Sequence, residues 1–203
     1  MNREPSLRER KQLRTREAIL DAAMSLFAEH GFDGVTVNDI AARAEVGRTT
    51  FFRYFADKQE LLFADDDQIE QVMVSAVDTA AAPHAPIGSS LDVAIEITRA
   101  GLLALTDVIV QRAGWMPLRE RLIAAHPALT ARALVKEREY ATIAVTRLIA
   151  HGATLETAAL AVGVATACYQ TAQATTAANP EHLTEATDAA FTRLKTELAR
   201  RKR

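Results

Sequence analysis

Two arginines and two threonines stand on one short run, Arg48-Thr49-Thr50-Phe51-Phe52-Arg53-Tyr54-Phe55. Their types suit hydrogen bonding to the base edges and phosphates of a nucleic acid. Wound as a helix at about 100° per residue, the run sends Phe51 and Phe55 one way. Thr49, Phe52 and Arg53 point largely the other way, with Thr50 and Arg48 at the two edges. Phe51 and Phe55 therefore belong to a core. The remainder offers guanidinium groups for guanine edges or phosphates, threonine hydroxyls and methyls for thymine, and an aromatic ring. Thr36 and Lys58 flank the run. Each lies near an expected helix N-terminus, where backbone N–H groups favour anions such as phosphate.

Other chemistry finds less support. The sequence has no P-loop, no dinucleotide glycine fingerprint, no G-x-S-x-G and no H-E-x-x-H, so an enzyme is not expected. His30, His84, His126, His151 and His182 are scattered, with no pair at metal-ligand spacing. Asp65-Asp66-Asp67 fans around a helix axis and reads as a solvated face. Cys168 is the single cysteine. It excludes an intrachain disulfide, fits a reducing cytoplasmic setting, and reads as a small packed hydrophobe. No cofactor or metal is implied.

The elements that must position the run are helices. Thr36 suits an N-cap, with Asp39 at N3 in a variant of the capping box. Ile40 and Ala41 begin an apolar face, Glu45-Val46-Gly47 makes a turn, and Gly47 caps the next helix. Asp57 then caps a further helix carrying Lys58 in its first turn. Helix, tight turn, helix is the layout in which a second helix enters the DNA major groove. A plain helical hairpin explains Phe51 and Phe55, but not the caps, the turn and a basic leader at these spacings. Upstream, Ile19, Ala22, Ala23, Leu26 and Phe27 form the buried stripe of a helix ended by Gly31. Leu7 to Arg16 is basic, and either continues that helix or lies along DNA as an arm. Residues 1–6 are expected to be disordered.

These residues carry a resemblance. The stretches T-R-E-A-I-L-D-A-A-M-S-L-F-A-E-H-G-F, V-T-V-N-D-I-A-A-R-A-E-V-G and T-F-F-R-Y-F-A-D-K-Q-E-L-L resemble the DNA-binding region of the TetR family of bacterial transcriptional regulators. The likeness covers Thr15 to Leu62. It implies that Arg48, Thr49, Thr50 and Arg53 face bases, while Phe52 and Tyr54 lie against the DNA backbone. Three positions depart from the family pattern. Glu45 stands where a turn glycine is usual, which implies a slightly strained turn. Gly47 replaces a capping serine. Phe52 replaces a tyrosine whose hydroxyl commonly holds a phosphate.

The chain's 203 residues, 49% hydrophobic and 25% charged, can hold one or two modest domains with real cores. A net charge of −2 argues against a protein that coats DNA by charge alone. The balance is uneven: residues 1–58 carry ten cations against nine acids, residues 59–203 fourteen against seventeen. The basic excess thus lies at the end expected to touch DNA. No apolar run is long enough for a membrane span, and no leader peptide is recognisable.

The expected organisation is all-α, about nine helices. Residues 1–58 form the helix-turn-helix domain with its basic N-terminal arm, and residues 59–203 a helical ligand-binding and dimerisation domain. Helix 4 should run from Asp57 or Lys58 to about Ala80, helix 5 from Leu91 to about Arg112, and helix 8 from Thr154 to about Ala178. Helix 5 is apolar nearly all round, which marks a central helix. Asn179-Pro180 should start helix 9, and the Arg200-Arg201-Lys202-Arg203 tail complements its dipole.

The family resemblance further implies a homodimer on a palindromic double-stranded operator. It also implies a small apolar or amphipathic effector held among helices 4 to 8, releasing the DNA. Met73, Trp115, Met116, Tyr140 and Tyr169 are the large side chains that could line that site, or could simply be core. Arg99, Arg112, Arg119 and Arg121 could meet an anionic group, or be solvated or paired, as Arg99 could be with Glu96. For the dimer, the small residues Ala159, Gly163 and Ala167 and the stripe Phe191, Leu194, Leu198 are the surfaces expected to meet.

Overall fold

In the computed structural model, residues 6–64, 66–111, 114–177 and 179–200 are described, without the side chains of residues 66, 67, 116, 198 and 199. Asp65-Asp66-Asp67, Arg112, Met116, Leu198 and the Arg201–Arg203 tail therefore fall wholly or in their side chains outside the described residues. The described residues form nine α-helices and no strand beyond one isolated bridge, Gly88 to Ala153. The chain divides into two compact units, residues 1–65 and 66–203.

The first unit contains α1 (Leu7–His30), α2 (Val37–Arg43), α3 (Arg48–Tyr54) and a 3-10 helix (Gln59–Phe63). Helix α1 begins earlier than disorder through residue 6 would allow. Ser6 caps it, its hydroxyl accepting from the Glu9 N–H while the Glu9 carboxylate accepts from the Ser6 N–H at 2.6 Å. The basic leader is thus helical from Leu7, and not an extended arm. The expected stripe Ile19, Ala22, Ala23, Leu26 and Phe27 is buried. Gly31 ends the helix at φ +72°, a region that favours glycine. Thr36 caps α2 as expected, in a reciprocal box with Asp39.

The region after α3 differs from expectation. The helix foreseen from Asp57 is instead a 3-10 helix, followed by a separate α4 beginning at Asp66. Three successive apolar residues, Leu61, Leu62 and Phe63, are all buried there. Successive side chains diverge by about 100° in an α-helix and about 120° in a 3-10 helix. Three buried in a row therefore mean that packing covers this stretch on every side, and tertiary packing rather than an amphipathic period sets its conformation. The Asp57 cap survives the change: its carboxylate accepts from the Glu60 N–H at 2.7 Å.

The second unit contains α4 (Asp66–Ala81), α5 (Leu91–Gln111), α6 (Met116–Ala125), α7 (Pro127–Ala150), α8 (Leu155–Thr176) and α9 (Leu183–Arg200). Helix α5 packs against α4, α8 and α9, the central place its apolar sequence implies. Gly101 permits the α4 contact, since a Cβ there would stand 2.5 Å from the Val77 Cγ2. Thr154 caps α8, accepting from the Thr157 N–H. Asn179-Pro180 opens a 3-10 helix (Pro180–His182) before α9 proper. Phe191, expected on a dimer surface, is 1% exposed in the core with Ile97 and Ala161. An aromatic ring on the inner side of α9 fills volume that the small residues of α8 leave open.

Candidate nucleic-acid interface

Helix α3 is seated by its two apolar anchors. Phe51 and Phe55 are 0% and 2% exposed, with ring centroids 5.9 Å apart. Anchoring them leaves Arg48, Thr49, Phe52 and Arg53 exposed, and Thr50 and Tyr54 half-buried. Of the candidate base-reading residues, Arg48, Thr49 and Arg53 are thus open to solvent and Thr50 is partly covered. The Arg48 guanidinium lies 5.5 Å from the Phe52 ring centroid, and that of Arg53 lies 5.1 Å from the Tyr54 ring. Each aromatic side chain thus gives an arginine a face to rest on. Phe52 contributes in this way without the hydroxyl that a tyrosine would bring.

The turn before α3 carries strain. Glu45 sits at φ +54°, the left-handed region that L residues occupy at a cost. This is the strain foreseen from a glutamate at a turn-glycine position. Gly47 begins α3 with no side-chain cap.

Thr36 and Lys58 are more occupied than their positions near helix starts suggested. The Thr36 hydroxyl donates to Asp39 Oδ2 at 2.6 Å and accepts from the Asp39 N–H at 3.2 Å. The Thr36 hydroxyl bond, then the Thr36 N–H, holds the Asp39 carboxyl below its usual range. The Lys58 ammonium donates to the Phe32 carbonyl at 2.6 Å and the Val35 carbonyl at 2.9 Å, and lies 4.1 Å from the Phe32 ring centroid. Burial pulls the Lys58 pKa down, opposed by nearby Asp33. Lys58 therefore ties the 3-10 helix to the turn between α1 and α2.

Two further supports carry no signal in local spacing. Arg43 of α2 makes a two-pronged pair with Glu29 of α1, at 3.2 and 3.0 Å. The Arg16 guanidinium lies 5.4 Å from the Phe55 ring centroid, and Arg16 donates to the Ala64 carbonyl. Their partners are distant in sequence, so only the folded unit brings them together.

In the second unit the suggested effector-facing side chains occupy different settings. Met73 is buried, and its Cγ is 3.7 Å from where a Gly101 Cβ would stand. Trp115 is 39% exposed, just before α6. Tyr140 and Tyr169 are half-buried on α7 and α8. Burial, with the charges of Glu120 and Glu137, pushes the Tyr169 phenol up. Burial likewise raises the Glu137 carboxyl, against a hydrogen bond from Gln170. A surface groove of about 580 Å³ runs between α4 and α5, lined by Val72, Ser75, Thr79, Ala100 and Ala104 among others. Met73, Trp115, Tyr140 and Tyr169 do not line it. Arg99 is paired with Asp188 and Glu96, and Arg119 with Glu120, whereas Arg121 is exposed. Among the described residues, no group of three or more His, Cys, Asp or Glu side chains could hold a metal ion, and no helix is long and apolar enough to cross a membrane.

Comparison with known proteins places this geometry. The profile described as "Bacterial regulatory proteins, tetR family" matches residues 19–64. The transcriptional regulator TcmR of Streptomyces glaucescens is 36% identical over 83 residues, 41% of this chain and 37% of TcmR. The transcriptional repressor LfrR of Mycolicibacterium smegmatis is 36% identical over 92 residues, 45% of this chain and 48% of LfrR. The likeness thus spans half or less of these curated relatives. Over the longer span the fold carries it. The structure of SmeT with triclosan superposes with a TM-score of 0.55 at 20% identity, covering 88% of this chain and 90% of SmeT. SmeT is the repressor of a Stenotrophomonas maltophilia multidrug efflux pump. Residues 19–64 thus match the tetR family of bacterial regulatory proteins, and the chain shares the all-helical fold of SmeT along most of its length.

Proposed function

We propose that the protein is a dimeric, effector-responsive repressor that reads a palindromic DNA operator through α3. One observation carries the DNA-reading part. Phe51 and Phe55 lock α3 into the first unit, so Arg48, Thr49 and Arg53 stand outward together. Arg48, Thr49, Thr50 and Arg53 face bases, while Phe52 and Tyr54 lie against the backbone. Thr36 and Lys58 flank this surface as phosphate contacts, Lys58 with the one N–H that its two carbonyls leave over. The test is retarded migration of the DNA upstream of the chain's own coding sequence, relieved by specific but not random competitor. Arg48→Ala should cost roughly 1–3 kcal/mol at one or two positions of each half-site if Arg48 holds a guanine bidentately. Unchanged affinity and footprint would remove Arg48 from base reading.

A single reading helix makes few contacts, and two half-sites about 34–36 Å apart supply the rest. The outward face of α8 suits a two-fold partner: Ala159, Leu160, Gly163 and Ala167 are all exposed, and a Cβ on Gly163 would touch nothing. A monomer by light scattering at micromolar concentration, in protein that still binds DNA, would refute this. The repressor reading draws on LfrR and SmeT, both described as repressors. The effector reading draws on the triclosan held by SmeT. Here an apolar or amphipathic effector would bind within the second unit, near Tyr140 and Tyr169, and favour the DNA-free arrangement. Trp115 is the only tryptophan, so its emission on titration with triclosan is a direct first assay. DNA release without any change in that emission would place the effector elsewhere.

A further inference from the structure

We infer that the first two turns of α1 are a DNA-backbone contact in their own right, flanking the site read by α3. The inference rests on the DNA-binding reading above and adds a second surface to it. Helix α1 buries nothing before Ile19. Every residue from Leu7 to Arg14 is exposed, Leu7 and Leu13 at 77% and 53%. These two turns extend a helix anchored from Ile19 onward, so no packing of their own holds them and their helicity rests on the Ser6 cap and on propagation.

Their charges make that helicity less favourable. Between Leu7 and Arg14, the cations Arg8, Arg10, Lys11 and Arg14 stand with one acid, Glu9, whose carboxylate is already used in the cap; Glu17 follows one turn beyond Arg14. Arg8 and Lys11, Lys11 and Arg14, and Arg10 and Arg14 are like charges at i,i+3 and i,i+4, each pair repulsive. They also crowd the positive end of the helix dipole. Among the described residues these four cations form no ion pair. A polyanion laid beside the segment would turn each of these unfavourable terms into a favourable one.

The position of the segment selects that polyanion. Arg16, at its inner end, stacks on Phe55, the residue that ends α3. The basic segment therefore departs from the C-terminal end of the reading helix. At about 1.5 Å per residue, Arg14 lies about 3 Å and Arg10 about 9 Å further along the axis. The duplex that α3 reads presents one phosphate per about 1.7 Å of its length. Its phosphates just beyond the bases read by α3 are thus the matching partner.

The test uses the full chain with two 30-base-pair duplexes, one from upstream of its own coding sequence and one of random sequence. The variant Arg8→Gln/Arg10→Gln/Lys11→Gln/Arg14→Gln keeps good helix formers and removes the charge. Its plot of log affinity against log salt should be shallower by about two to four units for both duplexes, with their affinity ratio unchanged within about twofold. Without DNA the variant should be no less stable than the natural chain, because three repulsive pairs are gone. Arg8→Lys/Arg10→Lys/Arg14→Lys should keep the natural slope. An unchanged slope in the glutamine variant overturns the inference, and so does a change in affinity ratio, which would assign the segment to base reading. If the natural chain binds neither duplex, the DNA-binding reading itself fails, a distinct result.

Discussion

Glu45→Gly should stabilise the protein. Glu45 holds φ at +54°, where an L residue brings its Cβ against the following carbonyl at a cost of about 1–2 kcal/mol. Glycine removes that cost but loses more chain entropy on folding, about 0.5–1 kcal/mol. The difference leaves a net gain of about 0.5–1 kcal/mol. Nothing else in the turn need change. The Glu45 N–H donates to the Ala42 carbonyl at 3.1 Å and the Val46 N–H to that of Ala41 at 2.9 Å, both backbone bonds that glycine keeps. The glutamate side chain is exposed, so little packing is lost. For a chain of this size, 1 kcal/mol moves Tm by about 2–4 °C, so a rise of roughly 1–4 °C is expected. Urea unfolding followed by far-ultraviolet circular dichroism gives the free energy directly. Glu45→Ala separates the two causes, because it removes the charge while keeping the Cβ. That variant should stay within about 0.5 kcal/mol of the natural chain. A gain in alanine equal to that in glycine would trace the effect to charge. A loss in glycine would show that the turn stores no strain.

Lys58→Met keeps the apolar stem and removes the donors to the Phe32 and Val35 carbonyls. It should cost about 1–3 kcal/mol of stability in the absence of DNA, read from the urea midpoint. Unchanged stability with weakened DNA binding would instead make phosphate contact the main work of that ammonium. Glu137→Gln should stabilise near neutral pH, and the gain should vanish as pH falls toward 4. Burial raises the folded carboxyl pKa, so the folded state favours the proton. The stability it contributes is therefore present below the unfolded pKa and lost as pH rises through the folded one. Thermal melts of both forms across that range check the sign. A gain that grows on acidification would contradict it.

What the sequence made legible follows a physical line. Caps and stripes act over three or four residues, so Thr36 with Asp39, Thr154 with Thr157, and Ile19 through Phe27 could be read directly. The strain at Glu45 was legible too, because a turn position tests one residue's backbone preference. The helix expected from Asp57 has the cap that local spacing shows, but it continues as a 3-10 helix through Leu61, Leu62 and Phe63, all of them covered by packing that local spacing does not show. A cap fixes where a helix can start, and tertiary packing decides which helix forms. Lys58 shows the same limit in the candidate site. Its place beside a helix start marks it for a phosphate, yet two carbonyls more than twenty residues earlier claim its ammonium first. Phe191 belongs to an apolar stripe, but a stripe does not say whether its partner lies on the same chain. The basic leader is the reverse case. Its sequence leaves helix and arm both open, and only the folded unit shows cations carried past the end of α3 on a segment with nothing of its own to pack against. A chain that spends local stability on such a segment has its compensation in what the segment meets.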